Sequence, residues 1–142
     1  MNFKVIGLAA CLLSISAAAN AQGIDISGKY HRTKPALADL SVTKVGTNWK
    51  IEIVGGGLPA GGATAADCEM VAVGPFQGSV LTAHVIPFKG KQMSVDAALL
   101  ADGEKHDFVI RFQQGGAQVI EGDVAFCGTG SDLDGRYTKT SK

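Results

Sequence analysis

Apolar and polar residues alternate with a period of two through most of the chain. Ile24, Ile26, Gly28 and Tyr30 alternate with Asp25, Ser27, Lys29 and His31, as in a strand with one buried face. Thr33-Lys34-Pro35 breaks the run, because proline fixes the backbone and removes a donor. Alternation resumes at Leu40 and Val42, pauses at Gly46-Thr47-Asn48, and continues with Trp49, Ile51 and Ile53 against Lys50, Glu52 and Val54. That order predicts a hairpin with its apolar face inward. Further strands are expected over Cys68–Val73, Ser79–Phe88, His106–Gln113, Ala117–Val124 and Leu133–Thr140, with Met93–Leu100 either a strand or a turn of helix. No segment keeps a helical period of about 3.6 residues.

Eight or nine short strands separated by turn signals predict an all-β sandwich or barrel. The two ends of the pattern echo each other: Gly28-Lys29-Tyr30-His31-Arg32 and Gly135-Arg136-Tyr137-Thr138-Lys139. Two similar terminal strands offer each other a partner and remove two exposed edges, which favours a small antiparallel β-barrel of about eight strands. A barrel of that size is filled by side chains or holds one small ligand. The one long irregular stretch is Gly55–Ala66, whose five glycines and one proline cannot keep a strand register. It reads as a flexible loop or a mobile binding loop.

The first residues change the domain boundaries. Lys4, the apolar run Val5–Ala18 and the Ala19-Asn20-Ala21 site have the form of a cleaved signal peptide over residues 1–21, which predicts export, most simply to a periplasm. Leu8-Ala9-Ala10-Cys11 is a competing lipoprotein signal that would leave a lipid on Cys11. Residues 22–142 then form a single domain with 12 basic and 13 acidic side chains. Such a balance carries no basic surplus for nucleic acid. No later apolar stretch has membrane-spanning length. Cys68 and Cys127 remain, and in an oxidising compartment they are expected to form a disulfide rather than stay free thiols.

Candidate chemistry is sparse. His31, His84 and His106 are scattered, no Gly-x-Ser-x-Gly occurs, and the carboxylates Asp102, Glu104, Asp132 and Asp134 lie in turns. Neither a metal, a cofactor nor an enzymatic activity is expected from these residues. Cations and tyrosines clustered with small residues suggest instead a partner-binding surface built from Ser27, Gly28, Lys29, Tyr30, Lys34, Arg136 and Tyr137. A structural reading of the same residues makes them a closure device for the barrel, with glycine bending the strand and tyrosine packing at its end.

An exported β-rich domain of this size with one disulfide, carrying Ser27-Gly28-Lys29-Tyr30 and then Thr33-Lys34, resembles the periplasmic and membrane-bound inhibitors of c-type lysozyme. One residue separates Gly28 from Tyr30 where that family has two, and Pro35 stands where it has glycine. The resemblance implies an eight-stranded antiparallel barrel that plugs the lysozyme cleft, with Ser27, Gly28 and Tyr30 as one contact element and Thr33 with Lys34 as the other. The competing expectation is an envelope barrel holding a small apolar ligand, with Gly55–Ala66 as its lid.

Overall fold

The period-two alternation is realised as a meander of antiparallel strands. The structure, a computed structural model, describes residues 24–57 and 68–140. The expected signal segment 1–21 and most of the glycine-rich stretch, residues 58–66, lie outside the described residues. The strands are β1 (Gly28–Arg32), β2 (Ala38–Val45), β3 (Asn48–Gly55), β4 (Cys68–Gly74), β5 (Phe76–Gln77), β6 (Val80–Val85), β7 (Phe88–Lys89), β8 (Ser94–Val95), β9 (Asp107–Gln113), β10 (Gly116–Gly122) and β11 (Gly135–Lys139). Eight of them close an antiparallel barrel in the order β1-β2-β3-β4-β6-β9-β10-β11, with β11 returning to β1. The order follows the chain, so each strand pairs with the next barrel strand and only β1 and β11 meet across the whole sequence.

Inward positions supply the core. Leu40 and Val42 from β2, Ile51 and Ile53 from β3, Met70 from β4, Leu81 from β6, Phe108, Ile110 and Phe112 from β9, and Val119 from β10 are all buried. Edge-to-face rings link Tyr30 to Phe112 at 5.6 Å and Phe112 to Phe76 at 5.9 Å, an arrangement that favours aromatic pairs beyond their buried area. Trp49, Ile51 and Ile53 share a parity as expected, though Trp49 at the strand start is only half-buried. At Gly74 a β-carbon would sit 1.9 Å from the Thr82 carbonyl oxygen, so the close approach of β4 to β6 requires glycine there.

Two features depart from the simple alternation. The expected strand Ser79–Phe88 ends at Val85, and Phe88–Lys89 pairs instead with Ser94–Val95 as a separate ribbon. A short 3-10 turn follows at Leu99–Ala101, so the segment Met93–Leu100 holds both strand and turn. In β10 the register shifts between Val119 and Glu121, leaving Ile120 as an extra, exposed residue. Strict alternation after Val119 would have pointed Glu121 into the core. The bulge sets Glu121 opposite outward-facing Val109 instead.

Cys68 opens β4 and Cys127 lies in the connection from β10 to β11. They form the expected disulfide, with α-carbons 5.3 Å apart. Among the described residues no helix is long and apolar enough to cross a membrane.

Candidate functional site

The echo between the two ends extends to eight residues: Asp25-Ile26-Ser27-Gly28-Lys29-Tyr30-His31-Arg32 and Asp132-Leu133-Asp134-Gly135-Arg136-Tyr137-Thr138-Lys139. Each copy folds the same way. The aspartate Oδ1 accepts the amide two residues on, at 2.9 Å for Ser27 and 2.8 Å for Asp134. The glycine takes φ of 134° in Gly28 and 131° in Gly135, a region that a β-carbon excludes. That bend turns the tyrosine back along its own strand. Tyr30 Oη then donates to the Ile26 carbonyl and Tyr137 Oη to the Leu133 carbonyl, both at 2.8 Å.

The copies complete each other across the seam. Tyr30 pairs with Lys139 and His31 with Thr138, so a local two-fold passes between β1 and β11. Arg32 lies 5.5 Å from the Tyr137 ring centroid, and Lys139 lies 5.6 Å from that of Tyr30, each a cation over a π face. Arg32 Nη2 donates to the Asp132 carbonyl at 2.5 Å, while Lys139 Nζ donates to its counterpart, the Asp25 carbonyl, at 3.1 Å.

The two halves differ in burial. Arg32 is 1 % exposed, and its Nη1 also reaches the Asp134 carbonyl while its Nε donates to the Ala36 carbonyl at 3.1 Å. Three carbonyls thus satisfy one buried guanidinium. Burial, helped by the charge of Asp25, pushes the Tyr30 phenol up to about 12. Burial likewise raises Tyr137, against the opposing pull of Arg32. Both phenols are therefore neutral donors at ordinary pH.

The other parity of the same two strands faces out. His31 and Thr138 meet across the pairing, and Arg136 and Thr140 flank Thr138 along β11. With Thr33 and Lys34 from the β1–β2 connection they line an open cleft of about 500 Å³. Every described ionisable side chain on its wall is basic. Lys34 and Arg136 are exposed, and neither makes an ion pair with a described residue. His31 turns Nδ1 toward Asp39 at 2.7 Å. Lys29 looks into a neighbouring cleft of about 290 Å³ beside Ser41.

Comparison with protein families, with curated proteins and with solved structures gives no match. The site therefore rests on its own geometry.

That geometry separates the seven residues singled out from sequence. Tyr30 and Tyr137 are 2 % and 0 % exposed and have no surface to offer a partner. Gly28 serves the bend. The Ser27 hydroxyl is held by Asp25 Oδ1 at 2.6 Å. Lys34 and Arg136 come together at one cleft and Lys29 lies beside it. Sequence reading paired Thr33 with Lys34 as a contact element but passed over His31 and Thr138, whose outward parity becomes significant once β1 and β11 are neighbours.

The three scattered histidines each have an aspartate partner, His31 with Asp39, His84 with Asp107 at 2.5 Å, and His106 with Asp123 at 2.6 Å. His106 is the buried one. Its Nε2 also lies 3.1 Å from both oxygens of Asp102, and its ring stacks at a tilt on Phe126. Burial disfavours its charge, but the hydrogen bonds and charges of Asp102 and Asp123 outweigh that and hold its pKa above the usual histidine value. The clamp joins the loop before β9 to the loop that carries Cys127.

Proposed function

We propose that the chain is an exported, non-catalytic protein-binding module of the lysozyme-inhibitor kind, and that it meets its partner through the outer face of the β1–β11 seam. The observation that carries this reading is the pair of exposed cations Lys34 and Arg136, unpaired among the described residues, on one hydroxyl-lined cleft. Lysozyme cleaves its substrate with two carboxyl groups, one of them ionised. A cation set in that groove would pair with the ionised group, and the Thr33 hydroxyl would contact the other without presenting a scissile bond. Arg136 adds the planar fork that suits a carboxylate. The closed eight-stranded barrel is compatible with the resemblance of Ser27–Lys34 to that family.

The geometry moves the expected contacts. Ser27, Gly28 and Tyr30 shape the strand, whereas Thr33, Lys34 and Arg136 face outward. Packing of Tyr30, Phe108, Phe112 and Met70 through the barrel interior disfavours the competing role as a carrier of a small apolar ligand. A lysis assay with c-type lysozyme and the purified protein tests the proposal. Inhibition is expected, with Lys34→Ala and Arg136→Ala weakening it and Ser27→Ala sparing it. Absence of inhibition at micromolar protein, or full potency in both cation variants, would refute it.

A further inference from the structure

We infer that the seam cleft is a receptor for a tetrahedral oxyanion, a phosphate or sulfate group, independent of any lysozyme. Its donors outnumber what a carboxylate can use. Arg136 offers a bidentate fork, Lys34 a mobile ammonium, and Thr33 and Thr138 hydroxyls that no described side chain or carbonyl engages. A carboxylate has two oxygens to accept these groups, whereas phosphate and sulfate present three or four.

The placement follows from the fold. The register sets His31 against Thr138, and Thr33 and Lys34, just beyond the end of β1, line the same cleft as Arg136 and Thr138. Asp39 does not line the cleft, and its Oδ1 is already directed at His31. Inward-facing Lys139 adds positive charge from behind through its contact with Tyr30. An anion at this point sits over a positive field without displacing an ion pair between Lys34 or Arg136 and a described residue. The opening of about 500 Å³ has room for the group to which an esterified phosphate would be attached.

The test is a ¹⁵N-NMR titration of the full chain with inorganic phosphate, sulfate, glucose 6-phosphate and acetate at constant ionic strength. Saturable shifts are expected at the amides of Thr33, Lys34, Arg136 and Thr138 with phosphate and sulfate, and much weaker ones with acetate. Arg136→Ala and Lys34→Ala should each weaken binding about tenfold, while Lys89→Ala, on the β7–β8 ribbon, leaves it unchanged. Both cation variants replace exposed side chains, so unchanged melting curves will show that the fold is intact. Tighter binding of glucose 6-phosphate assigns an esterified ligand, and equal binding assigns the free ion; either sustains the inference. Non-saturating shifts, equal response to acetate, or undiminished binding in both cation variants overturns it. No lysozyme enters the titration, so its failure and that of the protein-binding reading are separate results.

Discussion

Replacing Arg32 with alanine should be among the most damaging single changes in the protein. The guanidinium is 1 % exposed and donates to the carbonyls of Ala36, Asp132 and Asp134 while covering the Tyr137 ring. Arg32→Ala removes all of these donors at once. Each of these partly buried carbonyls left without a partner costs about 1–3 kcal/mol, partly relieved if water enters the space. With three carbonyls affected, a loss of about 3–5 kcal/mol is expected. Against a total stability of about 5–15 kcal/mol, that is a large share.

The local two-fold supplies an internal control. Lys139 holds the equivalent place but is only half-buried and donates to one carbonyl, that of Asp25. Lys139→Ala should therefore cost about 0.5–1.5 kcal/mol. Urea unfolding followed by fluorescence of Trp49, which packs edge-on against Phe76, measures both. With a slope of about 1.5 kcal/mol per M, Arg32→Ala should lower the midpoint by about 2–3 M and Lys139→Ala by less than 1 M. Equal shifts in the two variants, or a shift below about 0.5 M for Arg32→Ala, would refute the reasoning that carbonyl capping rather than ring contact holds the seam.

Three other outcomes follow from the same geometry. Gly28→Ala and Gly135→Ala force a β-carbon into φ near 130° and should each cost about 1–3 kcal/mol, whereas an alanine at Gly128, which has open space and no positive φ, should cost less; similar midpoints at all three positions would contradict this. His106 binds its proton more tightly folded than unfolded, so its contribution is complete below the unfolded value of about 6.5 and is lost as pH rises through the higher folded value. Asp102, lowered by the Glu104 amide and then by His106, contributes above about 3.9 and loses that as pH falls through its folded value. Unfolding midpoints across pH should peak between those limits, and His106→Gln should flatten the alkaline flank; an unchanged slope there would dismiss the clamp. Reducing the Cys68–Cys127 disulfide, which spans a sequence separation of 59, should lower stability by about 4 kcal/mol on the chain-entropy estimate, seen as a shifted midpoint in reductant.

Much of this seam was legible before any coordinates. Leu133, Gly135, Tyr137 and Lys139 share one parity, as do Ile26, Gly28, Tyr30 and Arg32, so the alternation already marked Arg32 and Lys139 as inward. Charged side chains are rarely buried unpartnered, and here the Arg32 guanidinium is hydrogen-bonded by three backbone carbonyls with the Asp132 carboxylate 3.9 Å away, partners that only the fold assembles. The β7–β8 ribbon was not legible, because two residues per strand carry no periodicity. Nor was the bulge at Ile120, which looks apolar and inward until its partner strand fixes the register.

The sequence by itself determined the strand alternation, the positions of the turns, the pairing of the two described cysteines and the kinship of the first and last strands, because these depend on local period and chain chemistry. Tertiary structure decided which tyrosines are buried, which cations have no ion pair among the described residues and which outward residues share a cleft. Those properties arise from the register between β1 and β11, strands at opposite ends of the chain. A shift of one residue in that pairing would exchange the faces, so the site exists only once the barrel has closed.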